Sequence, residues 1–298
     1  MQASSSVRGR GGAAGILLAL FAYALFSVHD ATIKWLVAEL PVSEVLFFRS
    51  AAITIVCLAI GRRRLLERAL TTRMKAPLVL RSLMVLTAFF LYFTAARSLP
   101  LAELLSLYFA APLIVTILAV PMLGERVSPG HWLAVLVGFI GVMVVTDPFG
   151  LHVSLPALLV LIAASLWAYG VILMRQVARH ESSLVQIFYV SVIFTLVTGV
   201  LSVPSWRAPS GWELALLLGV SVFGGLAQFS LFESARRAGA AVLATVEYSS
   251  LLWAFILGYA IWGDIPPLST FGGAGLILLA GLLLVATERF ARVSQSPR

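Results

Sequence analysis

Charged side chains are scarce in this chain. Asp, Glu, Lys and Arg make up 11% of 298 residues, whereas hydrophobic residues make up 60%. A water-soluble protein of this length has too much surface to tolerate so few charges, so that class is excluded. Cysteine occurs once, as Cys57, which rules out a disulfide framework or a cysteine-based metal site. We interpret Cys57 as a small buried residue of an apolar run.

Motifs for ATP hydrolysis and for metal-dependent catalysis are also missing. The sequence has no glycine-rich phosphate loop with a Walker pattern, and no HExxH or paired His/Cys spacing. His29 and Asp30 are neighbours, and neighbouring side chains on a helix point about 100° apart. No serine is tied to them by spacing, so we exclude a catalytic pair. These absences predict a protein that is not an enzyme and that uses no cofactor and no metal.

Long apolar runs fill almost the whole sequence, and each has the roughly 20 residues that a helix needs to cross a bilayer. They predict an all-α polytopic membrane protein with ten transmembrane helices. The predicted spans are residues 13–37, 42–61, 76–97, 99–122, 129–146, 154–177, 183–203, 210–234, 239–262 and 267–286. We expect an N-terminal tail (1–12), a first five-helix unit (13–146), a connecting loop (147–153), a second five-helix unit (154–287) and a C-terminal tail (288–298).

The basic residues predict the orientation of these spans. When the loops are numbered alternately, sixteen Lys and Arg residues fall on one side of the membrane, and only Arg97 and Arg207 fall on the other. The positive-inside rule then places both termini in the cytoplasm. We interpret the basic stretch 61–75 as a topology signal that contacts lipid, not as a nucleic-acid site.

The two halves of the sequence repeat each other. Gly124-Glu125 matches Gly263-Asp264 at a shift of 139 residues, and both pairs follow a long apolar run. Each predicted half has five helices, an odd number, so the second half must enter the membrane from the opposite face. Inverted repeats of this kind are typical of alternating-access carriers, whose substrate site lies near the midplane where the halves meet.

Three segments carry a resemblance to a known family. They are FSVHDATIKWL (26–36), AELLSLYFAAPLIVTILAVPMLGERVS (102–128) and AAVLATVEYSSLLWAFILGYAIWGD (240–264). With them the chain resembles the drug/metabolite transporter superfamily in its ten-helix, EamA-type branch, and is similar to the aromatic-amino-acid exporters. The resemblance implies export of small metabolites across a bacterial inner membrane, through a central cavity. The second half departs from the pattern, because Leu251 stands where the first half has Pro112.

Ionisable residues inside the predicted spans are the first candidates for a site, because each costs about 2.5–3.5 kcal/mol at the bilayer centre. Asp30 and Arg49 lie at similar depths in neighbouring spans, and we predict an ion pair that acts as a structural staple or as part of a gate. Lys34 lies one turn beyond Asp30, where an acid preceding a base can pair. Lys34 either snorkels to the interface or attracts a substrate carboxylate.

Further candidates are polar or aromatic residues in the spans expected to line the cavity. Glu247 lies near mid-depth, where a carboxylate would bind a substrate ammonium or a proton, or hydrogen-bond to a neighbouring helix. Gln228 follows Gly224-Gly225, a pair that acts either as a hinge or as a packing device. Aromatic rings suit an apolar substrate or an ammonium, although most rings in membrane proteins simply pack. The aromatic candidates are Tyr92, Tyr108, Trp167 and Tyr248.

The sequence therefore predicts a secondary carrier that exports amino acids, with aromatic and other apolar ones favoured. A carrier of a sugar or nucleotide sugar is the nearest alternative, although a phosphorylated substrate would demand more cations at mid-depth. An intramembrane enzyme, a non-transporting receptor and a channel are further alternatives. The expected partners are a small-molecule substrate and the lipid bilayer.

Overall fold

The computed structural model describes residues 4–123, 129–146, 154–178, 180–235, 246 and 249–294. Within these ranges the regular structure is entirely helical and contains no strand. A short 3₁₀ turn, Val203–Ser205, follows α8. The α-helices are α1 Ser4–Glu39, α2 Val42–Thr71, α3 Lys75–Ala95, α4 Leu101–Tyr108, α5 Ala110–Leu123, α6 Pro129–Thr146, α7 Leu155–Ala178, α8 Ser183–Ser202, α9 Gly211–Ala235, α10 Ser249–Trp262 and α11 Leu268–Ser294.

Six helical stretches of the described chain are long and apolar enough to cross a membrane. They are Ala14–Glu39, Val42–Thr71, Lys75–Ala95, Leu101–Met122, Leu155–Met174 and Leu184–Ser205. Four shorter apolar helices lie at Trp132–Val145, Gly211–Ala227, Ser249–Trp262 and Leu268–Leu283. Large apolar side chains such as Ile55, Val200 and Leu252 are exposed on the outside of the bundle. Such a surface belongs in lipid, so the prediction of a polytopic helical membrane protein is confirmed.

Several helices differ from the predicted spans. Helix α1 begins at Ser4 and α11 continues to Ser294, so both extend into the predicted tails. The fourth span is divided at Phe109 into α4 and α5, three residues before Pro112. Proline has no N–H to donate to the carbonyl four residues earlier, so a break just before it is expected. Helix α2 continues through the predicted basic loop to Thr71, but Arg62 interrupts it with φ 47° and ψ −145°. The basic stretch is therefore largely helical. The break at Arg62 separates the membrane part of α2 from its basic part.

Four extensive helix pairs organise the bundle. Helix α1 packs along α9, α2 along α8, α3 along α7, and α6 along α11. Each pair joins one helix from residues 4–146 to one from residues 154–294. The two halves therefore interleave instead of forming separate bodies, and the main buried cluster draws on helices of both.

Glycines allow α6 and α11 to approach closely. A Cβ atom added at Gly273 would lie 2.5 Å from the carbonyl oxygen of Gly141 and 2.3 Å from Val145 Cγ2. A Cβ atom added at Gly141 would lie 2.9 Å from the carbonyl oxygen of Gly273. These small residues pack the two halves against each other, in the way that small-residue motifs join membrane helices.

Polar ties hold both ends of α2 to the segments that flank α8. At the basic end, which carries residues 62–75, Arg68 Nε donates to Glu181 Oε2 at 3.0 Å, and the Thr72 hydroxyl donates to the other oxygen of Glu181. Burial acts to raise the pKa of Glu181, but these two hydrogen bonds and the charges of Arg68 and His180 together outweigh it, so that pKa lies below its usual value. At the opposite end, Arg207 Nη2 donates to Glu213 at 2.6 Å, and the Arg207 backbone N–H donates to Glu44 at 3.4 Å.

Candidate functional site

A chain of three polar side chains crosses the interface between α1 and α2. Arg49 Nε donates to His29 Nε2 at 3.1 Å, and His29 Nδ1 lies 2.9 Å from Asp30 Oδ1. The imidazole is buried, with 3% of its surface exposed, whereas Asp30 keeps 24% exposed. Arg49 thus reaches Asp30 by way of His29.

His29 is the residue that sequence reasoning undervalued. The expectation that the side chains of His29 and Asp30 diverge is wrong, because Cβ directions fix only where two side chains begin, and the imidazole is long enough to reach its neighbour. A histidine next to an aspartate in an otherwise apolar helix was the available signal.

Helix α9 makes room for the imidazole at Gly224. A Cβ atom at this position would lie 3.0 Å from His29 Cδ2 and 3.3 Å from His29 Nε2. The next residue, Gly225, has nothing within 4 Å of an added Cβ atom. The first glycine of the pair therefore serves packing against His29, which favours the packing interpretation for Gly224.

Aromatic rings from α3, α4 and α7 form a cluster that reaches the guanidinium group of Arg49 through Phe89. Arg49 Cζ lies 5.0 Å from the centre of the Phe89 ring, and Phe89 contacts Trp167 at 6.0 Å between ring centres. The Tyr108 ring belongs to the same group. Its centre lies 5.0 Å from that of Tyr92 and 6.4 Å from that of Trp167. The structure thus brings together three of the predicted aromatic residues, beside the charged chain.

Several hydrogen-bonding atoms of this cluster have no partner in the described part of the protein. The hydroxyl of Tyr92 is buried and makes no hydrogen bond there. Arg49 bonds to a described residue only through Nε, so its two terminal nitrogens form an open fork. Asp30 likewise uses only Oδ1, which leaves Oδ2 available. The cluster therefore offers a cationic fork, an acidic oxygen and a phenolic hydroxyl next to one another.

Lys34 lies apart from this cluster, at the opposite end from the basic stretch. Its ammonium group donates to the carbonyl oxygen of Leu99 and lies 5.1 Å from the centre of the Trp262 ring. Nearby, Arg97 Nη2 donates to the carbonyl oxygen of Leu40 at 2.8 Å. Lys34 is thus engaged with the α3–α4 turn and with α10 instead of pairing with Asp30 as its spacing allowed.

Three predicted site residues cannot be placed in the cluster. Gln228 belongs to α9, but its side chain is outside the described part, and Glu247 and Tyr248 are outside the described residues altogether. Their roles stay predictions. The described side chains contain no group of three His, Cys, Asp or Glu residues able to hold a metal.

Comparison with known proteins gives matches along nearly the whole chain. The sequence model of the EamA-like transporter family matches twice, at residues 13–147 and 154–286. The pseudopaline exporter CntI of Pseudomonas aeruginosa is 28% identical over 92% of this chain and 97% of its own length. The S-adenosylmethionine uptake transporter of Rickettsia prowazekii is 29% identical over 92% of this chain and 93% of its own length. A riboflavin transporter of Vibrio cholerae is 28% identical over 65% of each chain.

A solved crystal structure of a protein shares the fold. It superposes with a TM-score of 0.63, covers 97% of this chain and 99% of its own, and is 18% identical in sequence. At that identity the likeness concerns the fold alone.

Proposed function

The chain belongs to the EamA-like transporter family of the drug/metabolite transporter superfamily, and from this premise we propose that it exports amino acids, aromatic and other apolar ones above all. Membership makes it a small-molecule transporter, and its apolar helices make it a multi-pass membrane protein. The choice of amino acids, the outward direction, the bacterial inner membrane and the cytoplasmic termini are our proposal.

The open hydrogen-bonding atoms beside His29 carry this proposal. An amino acid is a zwitterion, so its site needs a cation for the carboxylate and an anion for the ammonium. The free fork of Arg49 matches a carboxylate with two parallel hydrogen bonds, and Oδ2 of Asp30 suits an ammonium. The buried hydroxyl of Tyr92 supplies one further partner for either group.

The aromatic rings next to this pair form the natural contact for an apolar side chain. Trp167 contacts both Phe89 and Tyr108, at 6.0 Å and 6.4 Å between ring centres, and Phe89 lies beside Arg49. Burying a large apolar side chain against such rings contributes about 1.5–3 kcal/mol. Because the rings now contact each other, we propose that they separate when substrate enters.

Alternating access is supported by the pairing of the helices. If the halves are exchanged, α1 corresponds to α7 and α3 to α9, so the α1–α9 contact becomes the α7–α3 contact, which is also present. Under the same exchange the α2–α8 and α6–α11 pairs return to themselves. Arg68 and Arg207, which tie the two ends of α2 to the segments before and after α8, are 139 residues apart, the shift of the sequence repeat. We propose that the α2–α8 and α6–α11 contacts stay fixed while the other helices open and close the cavity.

We propose that Lys34 helps to close the outer end of the cavity. Its contacts with Leu99 and Trp262 join α1 to the α3–α4 turn and to α10, and Arg97 adds a second tie to Leu40. Lys34 would meet the substrate carboxylate only when these ties part. Glu247, Tyr248 and Gln228 remain our proposed contacts from the second half.

Other substrates of the same class are the main alternative. The relatives carry the names of a metallophore exporter, a riboflavin transporter and an S-adenosylmethionine uptake transporter. A sugar or nucleotide sugar is less well matched, because the described cluster offers a single guanidinium against a diphosphate's two negative groups. A receptor or an intramembrane enzyme gains no support from relatives that are all named as transporters or exporters.

Counterflow in proteoliposomes tests the proposal. Vesicles holding purified protein and unlabelled L-phenylalanine should accumulate labelled L-phenylalanine transiently, and a panel of amino acids, sugars and nucleotide sugars ranks the substrates. Arg49→Lys keeps the charge but loses the fork, so we expect the half-saturation concentration to rise about tenfold or more. Arg64→Lys, at an exposed position, is the matched control. Counterflow of another solute but of no amino acid would refute the substrate assignment.

A further inference from the structure

The hydrogen bonds around His29 allow only one protonation state. Arg49 Nε can only donate, so His29 Nε2, 3.1 Å away, must accept through its lone pair. The proton of the neutral ring then sits on Nδ1 and is donated to Asp30 Oδ1 at 2.9 Å. This assignment follows from the network of donors and acceptors. In this arrangement the His29–Asp30 pair carries one negative charge and Arg49 balances it.

Few other titratable groups face this pair in the described part of the protein. Helix α2 supplies Arg49, and α3 supplies Tyr92, whose buried hydroxyl makes no hydrogen bond within the described part. Helix α9 presents Gly224 to the ring, and its Glu213 is engaged with Arg207 at the far end. The described titratable residue of α10, Tyr259, is 64% exposed on the outside of the bundle.

We infer that His29 and Asp30 form the binding site for a coupling proton, which replaces the ammonium group of the substrate; this inference rests on the proposed function. A proton adds to the lone pair of His29 Nε2 and gives an imidazolium. Two N–H groups then face each other between His29 and Arg49, so their hydrogen bond is lost and the guanidinium turns away. The charge of the His29–Asp30 pair rises from −1 to zero, and the pair stops attracting a cation.

Proton and substrate therefore disfavour each other through their charges, although they bind different atoms of the pair. An ammonium held at Asp30 Oδ2 disfavours the imidazolium, and the imidazolium disfavours the ammonium. On one face of the membrane the substrate leaves and a proton binds; on the other face that proton leaves and substrate binds. No covalent bond changes except the N–H bond at Nε2. One proton exchanges for one zwitterion, so each cycle moves one net positive charge.

The experiment compares two kinds of flux in the same vesicles of purified full-length protein. Labelled L-phenylalanine counterflow is measured without a pH gradient, and uptake is measured with the interior one pH unit more acidic and the membrane potential clamped by potassium and valinomycin. The wild type should show counterflow and about a tenfold gradient-driven accumulation, the limit for one proton per substrate. His29→Gln keeps an acceptor and a donor but binds no proton. Because His29 lies in the site, we expect slower but measurable counterflow, together with complete loss of the gradient-driven accumulation. The exposed His180→Gln should behave as wild type.

The outcomes separate this inference from the proposed function. Absence of amino-acid counterflow in the wild type would refute the function itself. Counterflow with no response to the pH gradient, or gradient-driven accumulation by His29→Gln equal to that of the wild type, would overturn the inference alone.

If the His29→Gln variant fails to fold, a measurement on the wild type still tests the inference. L-Phenylalanine binding to detergent-solubilised protein, in weak buffer at a pH low enough to protonate the pair, should release about one proton per molecule bound. A pH indicator reads this release directly. Binding without proton release would overturn the inference.

Discussion

Replacing Gly273 by alanine should weaken the packing of α6 against α11. The new Cβ atom would lie 2.5 Å from the Gly141 carbonyl oxygen, whereas ordinary contact begins at 3.4 Å, so the helices must separate by about 1 Å. A backbone oxygen cannot rotate away as a flexible side chain can. Overpacking of this kind costs about 1–3 kcal/mol. We therefore expect a lower midpoint of thermal unfolding in detergent.

Gly275 on the same helix provides the matched control. It is exposed, and an added Cβ atom meets nothing within 4 Å. Alanine there should stabilise by about 0.5–1 kcal/mol, because glycine loses more backbone freedom on folding. The two variants should thus differ by about 1.5–4 kcal/mol, with opposite signs. Equal midpoints, or a more stable Gly273→Ala, would refute the close approach of these helices.

Three further predictions concern the site and the basic end. Gly224→Ala should slow phenylalanine counterflow by pressing on the buried imidazole, whereas Gly225→Ala should not; equal rates would contradict that packing. Trp167→Leu should raise the half-saturation concentration roughly two- to tenfold more for phenylalanine than for valine. Because the pKa of Glu181 is lowered on folding, its stabilisation is present at neutral pH and is lost as pH falls through the folded-state pKa. Glu181→Gln should therefore lower the unfolding midpoint near neutral pH but not in acid, and the exposed Glu67→Gln should have little effect at either pH.

Much of the candidate site was accessible from the sequence. Charged residues are so costly in lipid that Asp30 and Arg49 were candidates by position alone, and their similar depth indicated a connection. The structure adds His29 between them, because a bridge of 2.9 Å and 3.1 Å depends on side-chain torsions that spacing does not express. The hydrogen bond from Lys34 to the carbonyl oxygen of Leu99 could not be predicted from spacing either, because the two residues are 65 positions apart.

The sequence by itself determined the solvent, the helical class and the approximate ends of several spans, because each depends on composition or on neighbours a few residues away. The tertiary structure decided which helices pair and which polar atoms meet. In water an apolar stripe tells a helix which face to bury, but in lipid both faces of a helix are apolar. Helix rotation is then set by small-residue contacts such as Gly141 against Gly273 and Gly224 against His29, which form only when distant segments come together.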